Sequence, residues 1–447
     1  MTEGGSELPR AVQKLQALVR IPTISYPEPE RVDTAAFDAF VAELERQFPL
    51  LHERLELTRV HTHGLLFHWL GQSADRSVVL MAHLDVVPVE GHWQHDAFSG
   101  AVADGKVWGR GTLDDKGCLA GICEAVETLL EHDVTPTQDI WLSFGCDEEV
   151  YGAAAERAVE ELVRRGVEPW LVVDEGGAIT HEAFPGVTVP VGLVGVTEKG
   201  VLSLRLRVEG RGGHASTPEK FGPTARLARA ITRLDRSPMP VNLPAPTIEL
   251  FRQLAPHASR HLRPVLANGG RLAPVLARLL GLLGPEAAAT ARTTFAVTTL
   301  SGSPALNVIA QTATAGVNIR VMPGDTSDDV IEHVRKAVHD DGVEIDVVER
   351  QEPSPVSPYG PDEPAFRLLR KTIREVFPDA VPAPYVMMGA TDSSSFTPIC
   401  DRVYRFAPFR MTTEQREAIH SYDEHIGVDD FLDGVRWYQR LVERLPV

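Results

Sequence analysis

Met81-Ala82-His83-Leu84-Asp85-Val86-Val87-Pro88 closes an apolar run that starts at Ser77. Side chains alternate along a strand, so His83 and Asp85 share a face. Asp85 can then fix the tautomer of the His83 imidazole and raise its basicity, as a carboxylate behind a metal ligand does. His-x-Asp alone is common in surface turns. Its weight here comes from the segments around it.

On both sides of this strand, short apolar segments alternate with amphipathic ones. Helical spacing runs over 8–19, stopping before Pro22, and over 35–50. Strand-length apolar segments lie at 65–70 and 77–81, followed by a helix at 117–131, a strand at 139–146, a helix at 153–165 and a strand at 170–173. This order predicts an α/β layer with a mixed, largely parallel sheet flanked by helices.

After Gly195 the pattern changes to one-sided alternation, as in a sheet with one solvated face. A strand at 202–208, a helix at 223–234, strands at 293–300 and 312–321, a helix at 327–340 and a strand at 343–349 give the order β-α-β-β-α-β. An Ala/Leu/Arg-rich insertion at 248–292 reads as helical. The Pro-rich stretch 353–364 leads back to helices at 365–376 and 428–445. We therefore expect one domain over 1–195 and 353–447, and an inserted α+β domain over 196–352. Two domains are also what 447 residues suggest.

The balance of 62 Asp and Glu against 44 Lys and Arg gives a formal charge of −18. That field repels phosphate backbones and anionic lipid, which argues against nucleic-acid and membrane partners. Residues 1–20 lack the basic-then-apolar order of a secretory signal, and no apolar run approaches bilayer length. The most apolar stretch, 272–283, contains Pro274 and Arg278 and reads as a buried helix. Cys118, Cys123, Cys146 and Cys400 form neither a disulfide framework nor a Cys-x-x-Cys knuckle, and read as buried thiols of a cytoplasmic protein.

Acids and histidines recur at the predicted strand ends. Gly109-Arg110-Gly111-Thr112-Leu113-Asp114-Asp115-Lys116-Gly117 sets two carboxylates before a helix, where either could cap it or bind a cation. The stretch lacks the spacing of a phosphate loop or a dinucleotide fingerprint. Asp147-Glu148-Glu149 ends another strand, and three adjacent acids repel one another unless a cation intervenes. Val173-Asp174-Glu175-Gly176-Gly177 repeats the arrangement, and 419–425 offers the late histidines His420 and His425. In open α/β sheets ligands gather beyond the carboxyl ends of strands. Two histidines and three carboxylates are too many for one tetrahedral zinc but suit two with a bridging carboxylate, leaving Glu148 free as a base.

With these motifs in place, the chain resembles the M20 family of co-catalytic zinc peptidases and amidohydrolases over almost its whole length. The resemblance is nearest to the branch of Gly-X carboxypeptidases and N-acyl-amino-acid hydrolases. It implies that His83 binds one zinc with Asp85 orienting it, and that Asp114 bridges both ions, its bond to Asp115 being cis. Glu148 is then the general base, Glu149 and His420 hold the second zinc, Glu175 or else Asp174 completes the first, and His425 is a surface residue. Two Zn2+ per subunit are implied, with Mn2+ or Co2+ as substitutes.

Gly212-Gly213-His214-Ala215-Ser216 is similar to the family's lid motif, whose histidine stabilises the oxyanion in the site of a neighbouring subunit. The inserted domain is on this basis a lid through which a homodimer forms. Asn307, Arg320 and Thr391 are similar to residues that hold the substrate. Where many relatives continue Gly-Thr-Asp with Ala-Arg, this chain has Ser393-Ser394 after Asp392, which removes a carboxylate-binding arginine. The implied activity is hydrolysis of an amide bond in dipeptides, short peptides or N-acyl amino acids by a water bridging the two zinc ions. The alternative is a ligand-binding protein of the same fold without catalysis.

Overall fold

The computed structural model of the chain describes residues 8–181, 184, 186–283 and 288–447. Residues 1–7 of the N-terminal reading, 182, 183 and 185 of the first domain, and 284–287 of the insertion lie outside them.

The strand Val78–His83 organises the molecule, and all of its residues are buried. Val78, Leu80 and Ala82 enter one apolar cluster, while Val79 and Met81 enter another. Alternate side chains committed to two cores require helices on both faces of the sheet. Helices Arg10–Val19, Lys116–Glu131 and Val428–Glu443 cover one face through Leu15, Ile122 and Trp437. Helix Ala154–Arg164 covers the other with Ala155, Ala158 and Leu162. Each fully buried Val or Leu contributes about 1.5–3 kcal/mol.

Val78–His83 runs parallel to Ile140–Gly145 and to Leu171–Asp174, and Val403–Arg405 extends the parallel set. Gly64–Trp69 and Glu56–Val60 add an antiparallel margin on one side, and Val191–Glu198 joins on the other. The expected mixed, largely parallel sheet with flanking helices is therefore present.

Six of the described strands of this sheet escaped the sequence pattern, three of them for clear reasons. Val381–Met387 carries Pro382 and Pro384, which lack ladder donors, and the strand pairs with Val191–Glu198 alone. A strand with one neighbour tolerates missing donors. Val403–Arg405 is too short for periodicity to register. Val191–Glu198 lies across the expected domain boundary at 195. The expected helix over 35–50 is also divided, into Thr34–Gln47 and Pro49–Arg54, because Pro49 starts a new helix at its first position.

The second sheet has the order Thr294–Ser301, Thr312–Val321, Gly200–Glu209, Glu344–Gln351, with helices Pro223–Asp235 and Ser327–Val338 on one face. The element order is the β-α-β-β-α-β expected. Within the insertion, helix Ala245–Leu254 packs Leu250 and Leu254 on Val191 and Ala383, residues of the first sheet. Helix Ala273–Leu283, expected to be buried, buries Leu276 and Leu280 but leaves Val275 exposed. All four cysteines are buried and unpaired. Among the described residues no helix is long and apolar enough to cross a membrane.

Candidate metal centre

Parallel pairing sets His83 opposite Gly145, so two strand ends deliver His83 and the Asp147-Glu148-Glu149 turn to one place. The three acids of that turn divide their work. Asp147 accepts hydrogen bonds from the backbone N–H groups of Ala153 and Ala154, at 2.9 and 3.1 Å, and so caps the helix that follows. Glu148 and Glu149 turn towards His83. Their own N–H groups donate to the Asp85 carboxylate at 3.3 and 3.2 Å, and Ser25 Oγ donates to it at 2.7 Å.

Asp85 therefore orients the acidic turn as well as the histidine. His83 Nδ1 lies 3.1 Å from the Asp85 backbone carbonyl, closer than the 3.4 Å to its carboxylate. Both contacts leave His83 Nε2 facing Asp114 Oδ1 at 3.0 Å. Asp114 Oδ2 meets His420 Nε2 at 2.9 Å, and the same nitrogen reaches Glu149 Oε2 at 3.0 Å. One carboxylate thus spans two imidazoles. Glu148 Oε2 lies 4.0 Å from His83 Nε2.

The loop that carries Asp114 is held by a buried ion pair that the motifs did not suggest. Arg110 Nη1 donates to Glu424 Oε2 at 2.6 Å, and Glu424 also accepts from the N–H groups of Gly111, Leu113 and Asp114. Gly111 adopts φ +88°, a left-handed conformation open to glycine. The Asp114–Asp115 peptide bond is cis.

Asp115 stands at the N-cap position of Lys116–Glu131 but makes no side-chain cap, so the capping reading fails there. Its carboxylate turns inward instead: Oδ2 accepts from the His83 N–H at 3.3 Å, and Oδ1 is buried without a hydrogen-bond partner. Donor atoms of His83, Asp115 and Glu175 lie within 4.8 Å of one another, as do those of His83, Asp114 and Glu149. Asp174 is occupied elsewhere, accepting from the N–H groups of Ser393 and Glu175.

His425, expected at the surface, is buried. It lies in strand His425–Gly427 against Lys106–Trp108, with its ring centroid 4.3 Å from that of Trp108. The expectation failed because the short Lys106–Trp108 strand that covers it left no mark in the pattern.

The other named residues lie outside the cluster. His214 is exposed in the second sheet's unit, with Nδ1 against Ser216 Oγ at 2.7 Å, and the adjoining Asn307 accepts from the Ala215 N–H through its backbone carbonyl. Arg320 is half-buried, and its Nη1 has no hydrogen-bond partner. Thr391 is buried, with its N–H and its hydroxyl both directed to Glu198 at 3.1 Å.

Burial pushes Glu148 and Glu175 well above the usual carboxylate range, and negative neighbours such as Asp114 add to this. Burial and the Asp114 charge also raise Glu149, against the pull of His420. Burial works against ionised Asp114 too, but hydrogen bonds from His420 and His83 outweigh it and hold that carboxyl well below its ordinary value. Burial would depress His83, yet Asp114 and Asp85 keep it well above the ordinary imidazole. Hydrogen bonds to Asp114 and Glu149 raise His420 to about 10.

The two imidazoles thus face the Asp114 carboxylate from both sides, where a cation would also be attracted. The buried, unpartnered oxygens Glu149 Oε1 and Asp115 Oδ1 remain. Imidazole nitrogens with convergent carboxylates are the donor set of a borderline dication, so the residues present fit one.

A cleft of about 420 Å³ opens beside Glu148, walled by Tyr151, Gln351, Asp392, Ser394 and Ser395 among others. A larger open hollow of about 560 Å³, by His339 and Asp340, shares no residue with the cluster.

An α/β sheet with histidines and carboxylates gathered at its strand ends is the framework of a class of metal-dependent hydrolases. Residues 79–444 match Peptidase family M20/M25/M40, and the chain belongs to that family. It is 34% identical over 443 residues to N-fatty-acyl-amino acid synthase/hydrolase PM20D1 of Xenopus tropicalis, spanning 98% of this chain and 86% of that protein. It is 33% identical over 444 residues to "Probable carboxypeptidase S-like 2" of Dictyostelium discoideum, spanning 96% of this chain and 84% of that protein. Among solved structures, the M20 family metallo-carboxypeptidase Sso-CP2 from Sulfolobus solfataricus shares the fold with a TM-score of 0.72 at 18% identity, covering 98% of this chain and 99% of that one. The chain is accordingly a hydrolase of this metal-dependent family.

Proposed function

We propose that the protein hydrolyses the amide bond of N-acyl amino acids or short peptides using two divalent cations, zinc foremost, with Mn2+ or Co2+ able to substitute. His83, Asp114 and Glu175 would hold one cation, and Asp114, Glu149 and His420 the other. The observation that carries this reading is the Asp114 carboxylate, whose two oxygens stand 3.0 and 2.9 Å from the Nε2 atoms of His83 and His420. Such cations, when bound, polarise a carbonyl and bring the acidity of water close to neutral pH.

Within this reading Glu148 accepts the proton of the attacking water at Oε2 and delivers it to the leaving amine. Asp85 keeps His83 and the Glu148-Glu149 turn aligned while this happens. Residues 196–352 act as a lid on a catalytic domain formed by 1–195 and 353–447, and lid closure excludes water. The exposed edge strand Thr294–Ser301, with Val297 and Leu300 bare, favours a homodimer. His214 would then serve the partner's oxyanion, with Asn307 beside it. Arg320, with its unpartnered Nη1, would receive the substrate carboxylate. Thr391 shapes the cleft, since both of its donors are engaged. The unpaired buried cysteines favour a cytoplasmic location.

The relatives named above act on N-fatty-acyl amino acids or are carboxypeptidases by name, and both descriptions centre on an amide bond. The test is metal analysis of the purified protein, followed by hydrolysis of a panel of N-acyl amino acids and dipeptides with Zn2+, Mn2+ and Co2+. Glu148→Gln should keep its metal and lose about 10²–10⁴ in kcat. Turnover that survives complete chelation would sink the metal reading. Full metal content with no hydrolysis of either class would leave a binding protein.

A further inference from the structure

Glu198 ends the last strand of the first sheet before the chain crosses, through Lys199, into Gly200–Glu209 of the second. It is 1% exposed. Four polar groups converge on its carboxylate. Oε2 accepts from the Thr391 N–H at 3.1 Å. Oε1 accepts from Nε of the fully buried Arg405 and faces the hydroxyl pair of Thr391 and Ser393, whose oxygens lie 3.1 and 3.2 Å from it and 2.7 Å from each other, so that one hydroxyl can donate to the other and the second to Glu198. The backbone of Glu198 is tied to the returning crossing: its N–H donates to Ser354 Oγ at 2.8 Å, and its carbonyl accepts from the Ser354 N–H at 3.3 Å.

The segment held by this carboxylate is the wall of the cleft. Ala390, Thr391, Asp392, Ser394 and Ser395 line the same cavity as Glu148. Ser393, between them, points away from the cavity and is 0% exposed. Its N–H donates to Asp174 Oδ2 at 3.0 Å, and Asp174 Oδ1 accepts from the Glu175 N–H at 2.9 Å. On the opposite side, Gln351 at the end of the last strand of the second sheet donates to Ser394 Oγ at 3.1 Å.

We propose that Glu198 is a positioning residue: it seats the 391–395 wall against the Asp174–Glu175 strand end and ties that wall to both crossings into the second unit. It touches neither substrate nor metal. It sets where the wall stands relative to Glu148, so its loss loosens substrate binding before it affects the chemical step. Only the kinetic half of this claim rests on the hydrolase reading.

Two variants test it in the full metal-loaded chain. Glu198→Gln keeps the shape but presents an amide NH2 to at least one donor. Ser393→Ala removes a hydroxyl that no substrate can reach. Hydrogen exchange in peptides covering 389–397 should quicken by about tenfold or more in Glu198→Gln and to a smaller extent in Ser393→Ala, with Val78–His83 and Ile140–Gly145 unchanged. KM for the best substrate of the panel should rise about five- to tenfold with kcat within about threefold, and the double variant should be little worse than Glu198→Gln.

Unchanged exchange at 389–397 in both variants would overturn the proposal, as would exchange that rises evenly across the sheet. A looser wall with unchanged KM, or effects that multiply in the double variant, would overturn it equally. If Glu198→Gln fails to fold, Ser393→Ala decides on the same criteria. Should no panel substrate be turned over, the hydrolase reading fails, and the exchange measurement still decides whether Glu198 seats the wall.

Discussion

Glu424→Gln should destabilise the protein by about 3 kcal/mol and weaken metal binding at the same time. Glu424 is 0% exposed and Arg110 is 1% exposed, so water cannot replace what the substitution removes. The carboxylate takes Arg110 Nη1 at 2.6 Å and the Gly111 N–H at 3.1 Å on Oε2, and the N–H groups of Leu113 and Asp114 at 2.8 and 3.2 Å on Oε1. Glutamine has one acceptor oxygen, so it keeps one pair of donors and turns NH2 against the other.

Hydrogen bonds to a charged group contribute about 1.5–3 kcal/mol each, which places the loss of two at about 3–6 kcal/mol. Burial pushes the Glu424 carboxyl above its ordinary value, with Arg110 and the amide donors pulling it back. A neutral side chain escapes that desolvation, which moves the expectation to the low end. Stranding one partner of a buried pair costs about 3–5 kcal/mol in general.

Urea unfolding can be followed by tryptophan emission, to which Trp93, with its ring 5.2 Å from the Arg110 guanidinium, contributes as one of six. Metal affinity should fall about 10–100-fold, because the Asp114 N–H is among the four donors. A variant within about 1 kcal/mol of the wild type would refute the reasoning. The pairing is tested further by Arg110→Met: the double variant should be more stable than Glu424→Gln alone, since no guanidinium is then stranded.

The metal-free protein should lose stability as the pH rises. The His420 pKa stands at about 10 against an ordinary 6.5, so its contribution is complete below about pH 6.5 and lost as the pH passes through about 10. His83 acts in the same direction. A thermal midpoint of the metal-free protein that stays level between pH 6.5 and 10 would contradict this. Metal loading at pH 8 should release protons, seen as a dependence of calorimetric heat on the ionisation enthalpy of the buffer, and identical heats in all buffers would count against His420 as a ligand. Asp147→Ala should cost about 1 kcal/mol as a lost helix cap while activity stays within a few-fold, unlike Glu148→Gln, and a loss as deep as that of Glu148→Gln would show that the two acids are not divided as described.

What could be read in the sequence was whatever repeats locally. The fully buried Val78–His83 strand, the alternation of helix and strand around it, and the one-sided strands of the second sheet all follow from side-chain periodicity. Contacts between distant segments have no period. Glu424 is the sixth residue of the 419–425 segment, whose first candidate was His420, and nothing near it announces a partner as remote as Arg110. Glu198 is followed at once by Lys199, and Arg405 closes a strand too short for periodicity to register, so neither announces the other until the fold joins them. Pro382 and Pro384 hid a strand because their cost depends on having a second neighbour, which only the topology decides. His425 was misplaced for the same reason.

The acids of this site fall into two sets, and the division explains how so many of them share one place. Asp85, Asp147, Asp174 and Glu424 are filled by N–H and O–H donors or by Arg110. Glu149 and Asp115 each keep a buried oxygen without a hydrogen-bond partner. A buried carboxylate oxygen with no donor is costly, and folding tolerates it only where another interaction offsets the cost. The filled acids hold the backbone of their neighbours in the cluster: Asp85 holds Glu148 and Glu149, Glu424 holds Asp114, and Asp174 holds Glu175. Mutating a filled acid should therefore shift both stability and metal affinity. Mutating an unfilled one should cost less: Glu149→Gln should lower metal affinity while the metal-free protein loses less stability than Glu424→Gln does, because relief from burying a raised carboxylate offsets the weaker contact with His420. Thermal midpoints of the metal-free variants would decide this, and a metal-free Glu149→Gln protein as unstable as Glu424→Gln would remove the division.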